Sequence, residues 1–538
     1  MKPASVWAIV LAAGILGSGA TETEAQIAEL VVARGDPPPD GNGTFFNVRD
    51  ALLNDAGIVA FTGNFIDTGV NDDAGLYLTD GLGGLIQVQR TGDPPPTGSG
   101  LFFGAGVSPA LNEAAQIAFR GAIDLFNGGG NIDERGLFLG DGVSALEHIV
   151  RHGDPAPDGN GVFSSDTPNT FTFNDAGQTA FDAFIDLQDG GSMFDESAIY
   201  RGDGPGALVR IARAGDASPD GNGTFSVLST PRLNATGLVA FTAELVGTTG
   251  GTIDDCGVYV GDGLPGGLVP VVRDGQAAPD GNGVFSFVST DMFNDAGQVL
   301  LGGVLTGTTG GVDDDRGVFL SDANNGPVQL AREGEAGPDG NGVFASFPAS
   351  VLNNNGQVMF LANLTGTSAG IFDDSGLFLS DGGPGTLSQI VLEGGPAPDG
   401  NGVFSNFTRP AFNDAGQAAF VANLRSTSGG SNDNQGLYFY DPALGIIQVV
   451  REGDPLLGST VANVLNFANG EGLGDEFSGL NEGGQLTYHV ILADGNEAIY
   501  RWTAIPEPAS LVLLSLGAVA IGARRGQIWR RSRAQQIS

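Results

Sequence analysis

The chain has 538 residues, 41% of them apolar, with 89 Gly and 33 Phe, so it can bury a core through many short strands joined by tight turns. Its 62 acidic against 23 basic residues give a net charge of −39, which repels phosphate backbones and excludes nucleic acid as a partner. The single cysteine, Cys256, excludes an internal disulfide and a thiolate zinc site of its own.

Residues 1–25 read as a secretory signal. Lys2 supplies the charged start, Val6 to Gly17 the apolar stretch, and Ser18-Gly19-Ala20 or Thr23-Glu24-Ala25 the small-residue cut. The bland alternative is an uncleaved anchor, for which the apolar run is short.

Residues 26–503 repeat one unit eight times. An N-x-x-G-x-x-A-F pattern recurs with its Asn at positions 54, 112, 174, 234, 294, 353, 413 and 481. Each unit of about 60 residues holds four strand-like runs bounded by Gly, Asn and Asp. Asn-Asp-Ala-Gly is itself a hairpin turn signal. Four antiparallel strands per unit, eight units and no helix signal predict an all-β fold, an eight-bladed β-propeller of four-stranded blades. The ends predict its closure. Leu30 to Asp36 copies a fourth strand, while the last unit stops after its third, Ala498 to Trp502, so the N-terminal strand completes the last blade. A solenoid or a string of sandwiches does not explain that split unit. The repeat and its spacing resemble the tandem NxxGxxAF-repeat proteins found with surface-anchoring signals, a resemblance that implies no particular activity.

In a propeller the linker after strand two and the linker between blades share one face. Here both are acidic. The inter-blade linker reads Gly-Asp-Pro-x-Pro-Asp-Gly-Asn-Gly in its full form, and Asp pairs such as Asp72-Asp73, Asp133-Glu134, Asp195-Glu196 and Asp254-Asp255 mark the other. Hard cations take carboxylate, amide and carbonyl oxygens, so the candidate ligands are Asp40, Asn42, Asp158, Asn160, Asp220, Asn222, Asp280, Asn282, Asp339, Asn341, Asp399 and Asn401, with Ca²⁺ the cation they would suit. The bland reading is turn formers on a solvated loop. The Asn-Asp-Ala-Gly turns read as the neutral face.

Enzymatic signals are sparse. The three histidines form no metal-spaced cluster, and no nucleophile elbow or phosphate loop occurs. Two places break the repeat: Gly92 to Gly100, which loses Asp-Gly-Asn, and an insertion around Ala462 to Ser478 with Glu471, Asp475 and Glu476. Arg49, Asp50, Arg232 and Arg409 fall on the inner strands and would line the channel.

Residues 504–538 form a tail. Pro506-Glu507-Pro508 precedes an apolar stretch, Ala509 to Ala523, and an end rich in Arg. This closely resembles the PEP-CTERM sorting signal of Gram-negative bacteria. The resemblance implies export, a transient inner-membrane anchor through an apolar helix, processing by an exosortase, and release to the cell surface or an exopolysaccharide matrix. The expectation is a non-enzymatic adhesion or matrix protein that meets polysaccharide through its acidic face. The alternatives are a carbohydrate-active lyase or hydrolase with a site in the channel, and a scaffold without a ligand.

Overall fold

A computed structural model describes residues 26–504 except 69–72, 126–133, 165–166, 188–195, 467 and 469–476. The signal segment, the sorting tail with Pro506, Glu507 and Pro508, the linker acids Asp72, Asp133 and Asp195, and the insertion acids Glu471, Asp475 and Glu476 lie outside the described residues. Among the described residues no helix is long and apolar enough to cross a membrane. The chain divides into two units, Leu30–Tyr500 and a second whose described residues are 26–29 and 501–504. In the second, Arg501 Nη2 donates to Glu29 Oε2 at 2.6 Å.

Leu30–Tyr500 is the predicted propeller: eight small antiparallel sheets in a ring. Blade 4 shows the plan. Its strands Thr224–Leu233, Val239–Val246, Cys256–Gly261 and Val269–Arg273 pair in sequence order from the channel outward. The other blades follow around residues 44–90, 101–151, 162–213, 284–332, 343–392, 403–451 and 459–504. Three first strands are broken in two. In blade 7 the break falls between Val403–Phe407 and Ala411–Phe412, where Pro410 has no N–H to give the ladder. The last blade is closed by the N-terminal strand Gln26–Ala33, set beside Glu497–Ala504, and Arg34 N–H donates to Glu497 O at 2.8 Å.

The Phe of the repeated pattern explains itself in the core. In blade 4 Phe241 stacks on Tyr259 of the third strand, centroids 5.9 Å apart. Phe225 of the first strand meets Tyr259 edge-on at 5.0 Å. The same triad recurs as Phe45, Phe61 and Tyr77, as Phe344, Phe360 and Phe378, and as Phe404, Phe420 and Tyr438. All of these rings are buried. Each blade thus carries its own aromatic cluster, worth about 1 kcal/mol per ring pair beyond the area removed from water.

The repeated Asn and Gly close the inner hairpin. Asn353 Oδ1 accepts the Gln357 N–H at 2.9 Å, and Gly356 sits at φ +79°. A side chain rarely adopts that conformation, yet blade 2 places Ala115 there at φ 58°.

Candidate functional site in the central channel

On the rim formed by the inter-blade linkers, the expected cation-binding oxygens are held by arginine. The Asp40, Asp158, Asp220, Asp280, Asp339 and Asp399 Oδ1 atoms each accept the N–H of the Asn two residues on. A guanidinium from the end of the blade's fourth strand then enters five of these loops. Arg332 Nη1 donates to Asp280 Oδ2 at 2.8 Å, Nη2 to Asn282 O at 2.8 Å and Nε to Asp314 O at 2.8 Å. Arg90 takes Asp40 and Asn42 O, Arg213 takes Asp158 and Asn160 O, Arg273 takes Asp220 and Asn222 O, and Arg451 takes Asp399 and Asn401 O. The Asn222, Asn282, Asn341 and Asn401 amides reach across to Asp254, Asp314, Asp373 and Asp433 of the second linker. Where the linker lacks Asp-Gly-Asn, Arg151 binds the Thr97 and Ser99 carbonyls instead. At Asp339 and Asn341 the arginine position is Leu392. Among the described residues no group of three or more His, Cys, Asp or Glu is placed to hold a metal ion.

The opposite rim is not the neutral face that its turns suggest. Two hydrogen-bonded belts run round it. In the first, the Asn Nδ2 of seven repeats donates to the carbonyl of the next repeat's Asn: Asn54 to Asn112, then Asn174 to Asn234, Asn294, Asn353, Asn413, Asn481 and back to Asn54, while Asn112 Nδ2 turns to Gln116 Oε1 in its own turn. All eight asparagines are buried. In the second, the following residue's N–H donates to a side-chain oxygen of the next repeat, a carboxylate everywhere but at Asn354: Asp55 to Glu113, Glu113 to Asp175, Asp295 to Asn354, Asn354 to Asp414, Asp414 to Glu482, and Glu482 to Asp55. Ala235 interrupts this ring of side chains. Inside the rim lies an open depression lined by Asp175, Asp295, Asp414 and Glu482 together with apolar side chains such as Met292, Phe293, Val351 and Phe412.

The insertion in the last unit ends inside this mouth. Phe477 is buried against Phe171 of blade 3, centroids 5.6 Å apart, and joins that blade's core. Blade 8 and blade 3 are not neighbours, so the Phe477 ring makes this contact across the ring interior. Ser478 O accepts the Leu53 N–H at 3.0 Å and anchors this segment to blade 1.

Below the rim the channel wall is charged. Three arginines on the inner strands are pinned by carbonyls of the adjoining blade. Arg232 Nε donates to Asp291 O at 2.8 Å, Arg409 Nη2 to Ser350 O at 2.7 Å, and Arg120 Nη1 to Asn169 O at 2.5 Å. Arg120 and Arg232 form no ion pair among the described residues. Burial pushes the Arg232 guanidinium down to about 10, with Asp291, Arg409 and Asp182 as its charged neighbours. It keeps its charge at neutral pH. Arg409 belongs to blade 7 and Asp182 to blade 3, so the Arg232 guanidinium feels charge from the neighbouring blade and from across the lumen. Burial also raises the Asp291 carboxyl, against the pull of Arg232 and Arg409. Asp182 is buried and accepts from Thr170 and Asn169. Arg232 and Arg409 were legible as channel residues. Arg120, Asp182 and Asp291 were not, because they sit at different offsets from the repeated Asn.

The architecture is that of a propeller with a charged, partly crossed channel and a sorting tail. Three overlapping matches, at 13–217, 134–392 and 266–512, place the chain in a family of unknown function (DUF7453), to which it belongs. Residues 504–526 match the PEP-CTERM protein-sorting motif, which implies export, processing by an exosortase, and surface or membrane-associated sorting in Gram-negative bacteria. No curated protein matches the chain. Among solved structures, the chain is similar to a puromycin hydrolase (12% identity, TM-score 0.33, 71% of this chain and 50% of that one) and the polysaccharide lyase Uly1 (9%, 0.33, 92% and 94%). A third is the sialidase of Trypanosoma rangeli (9%, 0.28, 70% and 61%). The chain therefore spans half the length of the hydrolase it matches. The expectation of a non-enzymatic protein is corrected by these neighbours, each of which is an enzyme.

Proposed function

We propose that the protein is displayed at the cell surface and engages an acidic polysaccharide in its central channel. The carrying observation is Arg120 and Arg232, desolvated cations that form no ion pair among the described residues, inside a chain of net charge −39. Guanidinium forks suit carboxylate and sulfate groups, and a dry wall strengthens such contacts. Acids dominate the surface and ring one mouth, so the guanidiniums of the channel wall are the groups that would hold an anion. Expected is binding of uronate or sulfated polymers over neutral ones, weakened at least tenfold in Arg232→Ala. Equal binding of neutral polymers, or an Arg232→Ala protein that binds as before, would sink the reading.

A second reading, a carbohydrate-active lyase or hydrolase at the same place, is favoured by Asp291. Its carboxyl, raised by burial and flanked by Arg232 and Arg409, has the character of a proton-transferring group beside an anion site. Incubation with acidic polysaccharides should then release unsaturated or reducing sugar, and Asp291→Asn should abolish the release without loss of binding. A protein that neither binds nor cleaves such polymers is a scaffold.

A further inference from the structure

Four consecutive blades carry the same pair of positions, differently resolved. Just past the fourth strand stand Asp274, Glu333, Glu393 and Glu452, all buried at 5 to 8% exposure. Each faces the residue before the blade's third strand: Asp255, Asp315, Asp374 and Asn434. In blade 7 an amide replaces one acid, and Glu452 Oε2 accepts the Asn434 and Gln435 N–H groups at 3.2 and 3.1 Å. In blade 6 a cation is supplied. Arg425, at the end of blade 7's second strand, puts Nη1 on Glu393 Oε1 at 2.5 Å and Nη2 on Phe372 O at 2.6 Å.

Blades 4 and 5 have neither remedy. The positions equivalent to Arg425, opposite the first residue of each first strand, are Thr306 and Thr365. Asp274 Oδ1 and Glu333 Oε2 are buried without a hydrogen-bond partner. Such an atom forfeits its hydration for nothing unless something else meets it. Only Arg316, 63% exposed with Nε 3.8 Å from Asp315, lies near the second pair, and Cys256 holds its place in the first. The carbonyls matching Phe372 O also face these seams. A Cβ on Gly275 would lie 3.3 Å from Ile253 O, and one on Gly334 3.2 Å from Asp313 O.

The geometry points to two Ca²⁺ sites in the seams between blades 4 and 5 and between blades 5 and 6, formed by Asp255 with Asp274 and by Asp315 with Glu333, where the next repeat seats the Arg425 guanidinium. Two carboxylates and a carbonyl leave room for several waters in a shell of six to eight oxygens. Affinity on the order of 10⁻⁴ to 10⁻³ M follows, as in other extracellular calcium modules. The Asp-Gly-Asn-Gly loops are a separate set of oxygens, five of them already holding arginine.

The test is thermal melting of the exported chain in millimolar CaCl₂ against NaCl of equal ionic strength. Calcium should raise the wild-type midpoint by several degrees beyond sodium. The Thr306→Arg/Thr365→Arg double variant copies the blade 6 solution. It should melt higher than wild type without calcium and gain nothing further from it. Asp274→Asn/Glu333→Gln should likewise lose the calcium response. A wild-type midpoint that moves no more in calcium than in sodium overturns the proposal. So does a calcium shift that survives in the double arginine variant.

Discussion

The two rims of the propeller solve one problem with different chemistry. Both must join neighbouring blades through polar groups removed from water. The rim of Asn turns uses buried amides whose donors meet backbone carbonyls at seven of eight links, the last returning to Asn54. The rim of linkers uses charge, an arginine driven into a loop of carboxylate and carbonyl oxygens. An amide bond adds about 1 kcal/mol net, whereas each hydrogen bond from a charged group adds about 1.5–3 kcal/mol. The charged rim is therefore the more brittle. It is also the rim where the repeats differ from one another.

Arg332→Ala should break this contrast hardest. It removes the donor of two carbonyls, Asp314 O and Asn282 O, and the cation beside Asp280, and urea melts should show a loss of about 4 kcal/mol. Between the rims, His489 is buried, and burial, helped by Arg49, pushes its imidazole down to about 4. The unfolded chain takes up that proton near 6.5 and the folded one refuses it. Stability is therefore lost as pH falls from 6.5 to 4, by about 3 kcal/mol. His489→Gln should remove that slope from a pH series of melts. Asn353→Ala cuts the belt at one link and the turn bonds to Gln357, and should cost about 2 kcal/mol. A loss equal to that of Arg332→Ala would erase the distinction between the rims. Leu392→Arg should sharpen it in the other direction. It offers the Asp339 loop the guanidinium its siblings have, and a gain of about 1 kcal/mol is expected in the same melts.

The ring was readable because its cause is local and repeated. Asn, Gly and Phe each do one job per unit, a turn, a left-handed residue and a stacked ring, so eight copies at a constant spacing carry the strand order. The split last blade was readable for the same reason, since Leu30 to Asp36 had a template in every other unit. What the sequence hid was pairing across units. Asp280 and Arg332 are 52 positions apart and read separately as a loop acid and a strand end, so the loop looked open to a metal. Asp55, Glu113, Asp175 and Glu482 each look like an isolated turn residue, and only the closed ring brings them to one rim. The channel charges were half visible. Arg232 and Arg409 lie just before the repeated Asn, whereas Asp182 lies beyond it on the second strand.

The Phe477 contact sets one entrance of this ring apart from the other. A ring of like blades presents the same face all the way round its axis. With Phe477 of blade 8 packed on Phe171 of blade 3, that sameness is lost at one mouth: blades 1 and 2 lie on one side of the contact and blades 4 to 7 on the other. Any molecule entering there meets two unequal halves.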